Sequence, residues 1–399
     1  MSSGKSNYMI EDKIKAKTFE AIKYIEEGTK KKLNAMHVEL GKSYYALGEY
    51  LDDSEPHHQS GGPQHGIFGT AMGVQALLGC KEALGTDPTF LTQQMVAWLV
   101  EEHSEPNSTQ NKVPKLSNFI IALAGVNSED NKFKQALENS IKALGESIKD
   151  GGWTYFMDGS SPNKPDIVCT CHALLALKIA KRTNTSFYNT GYEWLLKNIK
   201  PETMTLSKQI VVLGTILELG INIKTNPTVY KIFNDYVTNF EKYTFAEFTF
   251  TWKGGAWIKL SKPAYLLKPF IFSSPYDHLS KTHIYKLYMD TINDIINDSG
   301  YRDPFDDWRY CSKDLELVKI FAKVYHTFKF ESKTISQIMS FLWLGTKIFC
   351  KEKGKTLIKY VKKNIKKVII GIISIGTILN IILQGLIYDF LKKIYQNYF

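Results

Sequence analysis

Between residues 60 and 330 the chain alternates two kinds of helical segment, and this restricts the fold more than any other feature. One kind is apolar on almost every side: GTAMGVQALLGC, KLSNFIIALAGV, IVCTCHALLALKIA, SKQIVVLGTILELG and SKDLELVKIFAKVY. The other keeps one polar face: FLTQQMVAWLVEEH, KFKQALENSIKALGESIK, SFYNTGYEWLLKNI, VYKIFNDYVTNFEKY and IYKLYMDTINDIIND. A helix apolar all round must be covered on several sides, whereas an amphipathic one suits an outer layer. With a loose period of about 45–50 residues, the pattern predicts an all-α fold, an α/α toroid of about five to six hairpins. An open α-solenoid is the alternative, but it needs polar capping repeats that the sequence lacks. Residues 245–275, FAEFTFTWKGGAWIKLSKPAYLLKPFIFSSP, interrupt the alternation; a degenerate hairpin or a short β element over one mouth is expected there.

Beyond residue 330 the chain reads differently. Residues 335–350 are apolar over a stretch too short to span a bilayer, which suggests a closing or interfacial helix. From Val368 to Ile387 the chain is apolar for long enough to cross a hydrocarbon core of about 30 Å, with lysines on both sides. The expected order is therefore an N-terminal segment (1–31), the toroid (32–330), the closing helix (331–350), a basic amphipathic linker (351–367), one transmembrane helix (368–387) and a short tail (388–399). More lysines precede the span than follow it, so the positive-inside rule places the toroid in the cytoplasm at the cell membrane. Lys355, Lys359, Lys362, Lys363, Lys366 and Lys367 recur at helical spacing opposite Leu357, Ile358, Val361 and Ile365, as in a helix lying on an anionic leaflet. Within the span, Gly376, Thr377, Asn380 and Gln384 form one stripe. Amides facing lipid are costly and bond across helices, so the anchors are expected to self-associate into a homo-oligomer.

The charge supports the same division. The net charge is +10, of which residues 351–399 carry +8, so nucleic acid is not an expected partner. Five scattered cysteines without CxxC pairs fit a reduced compartment, and the N-terminus has no apolar leader.

One stretch carries a resemblance. DGGWTYFMDGSSPNKPDIVCTCHALLALKIA, at 150–180, has Gly151, Gly152 and Trp153, then Pro165, Asp166 and Thr170 ahead of an Ala/Leu-rich helix. This resembles the repeat of terpenoid cyclases and protein prenyltransferase β-subunits. The resemblance implies an α/α toroid and, at most, isoprenoid chemistry. Its catalytic motifs are not matched. Asp303, Asp306 and Asp307 have the spacing DxxDD rather than DxDD; Asp52, Asp53 and Glu55 are not a DDxxD; and Cys169 stands where the prenyltransferase zinc histidine would be. Candidate acids are thus Asp52, Asp53, Glu55, Asp166, Asp306 and Asp307. Candidate metal ligands are His57, His58, His65, Cys169 and His172, the last two sharing a helical face with Asp166. HG-x-x-G at His65 to Gly69 also resembles the turn of lanthionine cyclase-like toroids, without their zinc cysteines.

Function divides accordingly. A membrane-anchored toroid that binds a lipid, isoprenoid, peptide or protein and signals to self-associating anchors, as a bacterial defence or toxin-like effector does, is the expected reading. A membrane-tethered isoprenoid- or lipid-processing enzyme is the alternative. No cofactor is specified.

Overall fold

The computed structural model describes residues 3–39, 46–47, 63–85, 88–103, 112–158, 164–222, 225–252, 256–273, 282–297 and 315–325. The chain forms two compact units, one of Ile14–Thr327 and one of Met1–Lys13 with Phe328–Phe399.

In the larger unit the helices are α1 (Ser3–Glu39, from Ile14 onward), α2 (Pro63–Leu84), α3 (Thr89–His103), α4 (Val113–Val126) and α5 (Asn131–Glu146). After the small hairpin β1 (Ile148–Lys149) and β2 (Gly152–Trp153) come α6 (Ile167–Ile179), α7 (Ser186–Asn198), α8 (Leu206–Glu218), α9 (Pro227–Thr238) and the short α10 (Phe240–Thr244). A second hairpin, β3 (Thr249–Trp252) and β4 (Ala256–Lys259), is followed by α11 (Lys262–Ser273), α12 (Thr282–Ile296) and α13 (315–325). Both hairpins are antiparallel.

The two helix classes separate as their sequences require. Every residue of α6 from Ile167 to Leu177 is buried, and in α8 burial runs unbroken from Gln209 to Leu217. In contrast α5 buries only Ala136, Ser140, Ile141 and Leu144, and α9 only Val229, Ile232 and Tyr236, one stripe at helical spacing. Successive inner helices are neighbours: α2 packs on α4, α4 on α6, α6 on α8 and α8 on α11. The circuit closes through α13. Its Glu316 reaches Lys268 on α11, and its Lys319 donates to Gln75 of α2 at 2.6 Å. Among the described residues the inner ring is therefore α2, α4, α6, α8, α11 and α13, with α3, α5, α7, α9 and α12 outside. This is a closed α/α toroid rather than a solenoid.

Two elements differ from the sequence expectation. The first is α1, assigned to a separate N-terminal segment ending at 31. From Ile14 it lies against the toroid through Ile14, Thr18, Ala21, Ile22 and Ile25, with Thr18 sharing a hydrogen bond with Tyr288 of α12 and Phe19 near Tyr325 of α13. It is thus the sixth outer helix. The second is α11, which was hidden in the irregular 245–275 stretch. That stretch does hold the β element, but it also supplies an inner helix with Pro269 inside it. Among the described residues no helix is long and apolar enough to cross a membrane. The predicted span (368–387), its stripe at Gly376, Thr377, Asn380 and Gln384, and the lysine-rich linker all lie outside those residues.

Candidate functional site

The GGW…PD…T motif is the start of α6 and its bracket. Asp150 and Gly151 both have positive φ, 47° and 90°, which is the mirror-image turn that a two-residue hairpin loop requires. Beyond it Trp153 is fully buried, and its indole N–H donates to the Leu144 carbonyl at 2.7 Å. The ring lies against Gly191 of α7 so closely that a Cβ there would stand 2.1 Å from it. The Trp153 amide donates to Thr170 Oγ1 at 3.1 Å, and the Thr170 hydroxyl donates to the Asp166 carbonyl at 2.8 Å. Asp166 Oδ1 accepts from the amides of Val168 and Cys169 and so caps α6. Every motif residue with a described contact is therefore a structural staple. A motif of this kind therefore has a structural role that requires no catalytic motif beside it.

Asp166 has a second carboxylate oxygen, and this one faces a cleft. Oδ2 lies 3.3 Å from Lys208 Nζ at the start of α8. The two residues bring the N-terminal ends of α6 and α8 together at one mouth of the ring. There a cleft of about 390 Å3 is lined by Asp166, Thr205, Ser207, Lys208, Glu247 and the β3 strand Thr249–Trp252. Trp252 stacks on Tyr155 with ring centroids 4.3 Å apart and planes tilted by 23°, and Lys112 sits over the Tyr155 ring at 5.8 Å. Burial, with the nearby Cys169, pushes the Tyr155 hydroxyl up to about 12, so it stays a neutral donor at physiological pH. The cleft is thus lined by two carboxylates, one ammonium, several hydroxyls, the Trp252 ring and the apolar side chains of Leu206 and Ala246. Its volume is at the lower end of the usual range for small-ligand sites, about 300–1,000 Å3.

The axis of the ring is different. A cavity of about 30 Å3, room for little more than a water molecule, is bounded by Asn118, His172, Glu218, Tyr265, Lys268, Glu316 and Lys319 together with apolar chains. Lys268 occupies the centre, 3.4 Å from Glu218 and 3.7 Å from Glu316, with its side chain 8% exposed. Gly214 of α8 leaves the slot it fills, since a Cβ there would be 3.3 Å from the Lys268 Cβ. Burial alone would lower the Lys268 pKa, but the two glutamates outweigh it and hold the group above its ordinary value. The contact with Glu218 is an ion pair without hydrogen-bond geometry, since Glu218 Oε2 accepts no hydrogen bond. Lys319 completes a polar chain by donating to Gln75 Oε1, and Gln75 Nε2 donates to Asn118 Oδ1 at 3.1 Å. Burial, then Lys268 and Lys319, lowers His172 to about 3, so the ring is neutral. A lumen filled in this way is not the deep apolar chamber an isoprenoid cyclase needs.

The residues singled out in the sequence fall into three groups. Asp166 lines the open cleft. Cys169 and His172 are buried on α6, and with Asp166 they form no metal site: among the described residues no three His, Cys, Asp or Glu side chains converge. The Cys169 thiol is raised well above its ordinary value by burial and then by Asp166, so it is protonated at physiological pH. Asp52, Asp53, Glu55, His57, His58, Asp306 and Asp307 lie outside the described residues, as does the side chain of His65. Sequence reasoning missed Glu247, Lys208 and the lumen group of Glu218, Lys268, Glu316 and Lys319. The available signal was a charge inside an otherwise apolar inner helix, as in AYLLKPFIF and DLELVKIF.

No family model matches the chain, and no curated protein is significantly similar to it. Solved structures do share its fold. The GH76A α-1,6-mannanase from Salegentibacter sp. HEL1_6 superposes with a TM-score of 0.51 at 10% identity, covering 78% of this chain and 99% of that one. Two inactive variants of that enzyme, with two adjacent aspartates replaced and with α-1,6-mannotriose or α-1,6-mannotetrose bound, give TM-scores of 0.50 at 11% identity. The toroid is thus found in a glycosidase, and the likeness does not extend to terpenoid cyclases in particular.

Proposed function

We propose that the chain is a membrane-anchored toroidal binding protein that takes a polar, hydroxyl-rich ligand in the cleft at the α6–α8 mouth. The observation that carries this reading is the contrast between the two cavities: the lumen is filled by paired charges, whereas the mouth cleft has room and is lined by hydroxyls, carboxylates and Trp252. Asp166 is already committed to capping α6 and to Lys208, which suits holding a ligand better than transferring protons. The C-terminal segment would tether the toroid to the cytoplasmic side of the cell membrane. Self-association through Asn380 and Gln384 would then convert ligand occupancy into a membrane response, the arrangement of a defence or toxin-like effector. The filled lumen counts against an isoprenoid-processing enzyme.

A glycosidase is the second reading, favoured by the fold neighbours and by two carboxylates, Asp166 and Glu247, lining one cleft. Paired carboxylates flanking a glycosidic bond are the usual hydrolytic machinery. The inactive mannanase variants replace adjacent aspartates, and this chain has two such pairs, Asp52–Asp53 and Asp306–Asp307. Calorimetric titration of the full chain with α-1,6-mannotetrose, followed by product analysis, separates the readings. Binding without cleavage, lost in Trp252→Ala, supports the binding protein. Release of shorter saccharides that stops in Glu247→Gln or Asp306→Asn supports the enzyme. Absence of binding to mannotetrose and to other oligosaccharides would remove the hydroxyl-rich ligand. Expression with and without residues 351–399 tests the effector: toxicity that needs the tail supports it.

A further inference from the structure

The hairpin of β3 and β4 has two edges, and one of them borders the cleft. The Leu260 amide donates to the Phe248 carbonyl at 2.9 Å, which makes these facing residues a hydrogen-bonded pair. With Phe250 opposite Ile258 and Trp252 opposite Ala256, the bonded pairs continue at every second residue. Thr249 and Thr251 are the alternate positions, so their amides and carbonyls point away from β4. Among the described residues nothing bonds to these four groups. The cleft runs along the same edge. Thr249 and Thr251 are exposed while Phe250 is buried, so their side chains stand on opposite faces of the hairpin. A cavity over one face would touch alternate residues, but this one is lined by all four from Thr249 to Trp252, and Ile258 of β4 does not line it. An uncovered edge is a template for another strand, and proteins commonly block it with lysine, proline or a bulge. The β3 sequence, TFTW, holds no lysine or proline, and its register runs without a bulge. Of the cleft's two carboxylates Asp166 is paired with Lys208, whereas Glu247 has no ion pair among the described residues.

We infer that the cleft takes an extended peptide segment, rich in Ser or Thr and carrying a basic residue, which adds to β3 as a further strand. In strand addition the main-chain hydrogen bonds supply affinity and alternate side chains supply specificity. Here the main-chain partners are the outward amides and carbonyls of Thr249 and Thr251. These two residues are about 7 Å apart, so three guest residues span them. Thr pairs well with Ser and Thr on a neighbouring strand and favours extended backbone, which matches the guest to the exposed Thr249 and Thr251. The basic residue answers Glu247, which leaves the pair of Asp166 and Lys208 undisturbed. Strand addition of this kind rests on the proposed reading of the cleft as a site for a hydroxyl-rich ligand, and puts those hydroxyls on a polypeptide.

The test is calorimetric titration of the full chain with acetyl-Thr-Thr-Lys-Thr-Thr-amide and, separately, with α-1,6-mannotetrose. The peptide should bind, and Thr251→Pro should weaken it at least about tenfold, because proline removes an outward amide and spares the bonds between β3 and β4. Circular dichroism of the variant checks folding. Peptides methylated at one backbone nitrogen at a time give a second reading that needs no variant: affinity should fall at alternate positions only. Replacing the peptide lysine with norleucine should cost several-fold in the parent and little in Glu247→Gln. Binding that Thr251→Pro leaves unchanged, or methylation losses without alternation, overturns the inference. Failure of the peptide to bind also overturns it, and mannotetrose binding in that case keeps the hydroxyl-rich reading of the cleft. A peptide that binds where mannotetrose does not supports the inference and removes the saccharide.

Discussion

The lumen and the mouth cleft of the same toroid both gather lysines and carboxylates, yet they do opposite work. In the lumen Lys268 is ion-paired with Glu218 and Glu316 in a space with room for little more than a water molecule. In the cleft Lys208, Asp166 and Glu247 border a volume more than ten times larger. Grouped charge inside a ring is therefore not by itself a sign of a site. What decides is whether the space that the charges border is filled or left open.

The comparison breaks most visibly if Lys268 is dispensable. Lys268→Met leaves only Lys319, which is bonded to Gln75, as a cation near Glu218 and Glu316, and removal of one partner from a buried ion network typically costs about 3–5 kcal/mol. Thermal denaturation should show a large drop, and the triple change K268M/E218Q/E316Q should recover much of it. A Lys268→Met protein as stable as the parent would mean that the lumen is hydrated.

The next effect is a pH dependence. His172 is buried neutral with its pKa lowered from 6.5 to about 3. Between those values the unfolded chain binds a proton that the native ring refuses. The contribution of His172 to stability is therefore fully present above 6.5 and is lost as pH drops toward 3, by an amount on the order of 4 kcal/mol. His172→Gln should flatten that part of the stability curve in denaturant titrations at several pH values, and an unchanged slope would show that the ring is solvated.

The smallest stability effects belong to the cleft. Asp166→Ala removes the α6 cap and the Lys208 pair, for a loss of about 1–2 kcal/mol. Glu247→Gln, an exposed change, should stay within about 0.5 kcal/mol while altering ligand affinity. If Glu247→Gln destabilised the fold as Lys268→Met does, the cleft would be another structural network.

These regions were not equally legible in the sequence. The inner and outer rings were, because burial all round and burial along one stripe leave different residue patterns, as α6 and α5 illustrate. The start of α6 was legible as a motif but not as a staple, since its meaning depends on Trp153 meeting Gly191 of the next helix. Helix α1 was missed because its core stripe is narrow and holds Thr18 and Thr29 among apolar residues. Helix α11 was missed because Lys268 and Pro269 interrupt an apolar run that glycines and prolines precede. Read alone, Glu218 at a helix end and Glu316 at a helix start look like solvated charges. Only ring closure brings α8, α11 and α13 together around Lys268, and no local pattern encodes that.

The central claim, a lumen closed by paired charges beside an open cleft, is tested most directly by lysine acetylation of the native full chain, read peptide by peptide by mass spectrometry. Lys208, whose side chain is 33% exposed, should react under native conditions, while Lys268 should stay unmodified until the protein is denatured. Modification of Lys268 at a rate matching that of Lys208 would contradict the account.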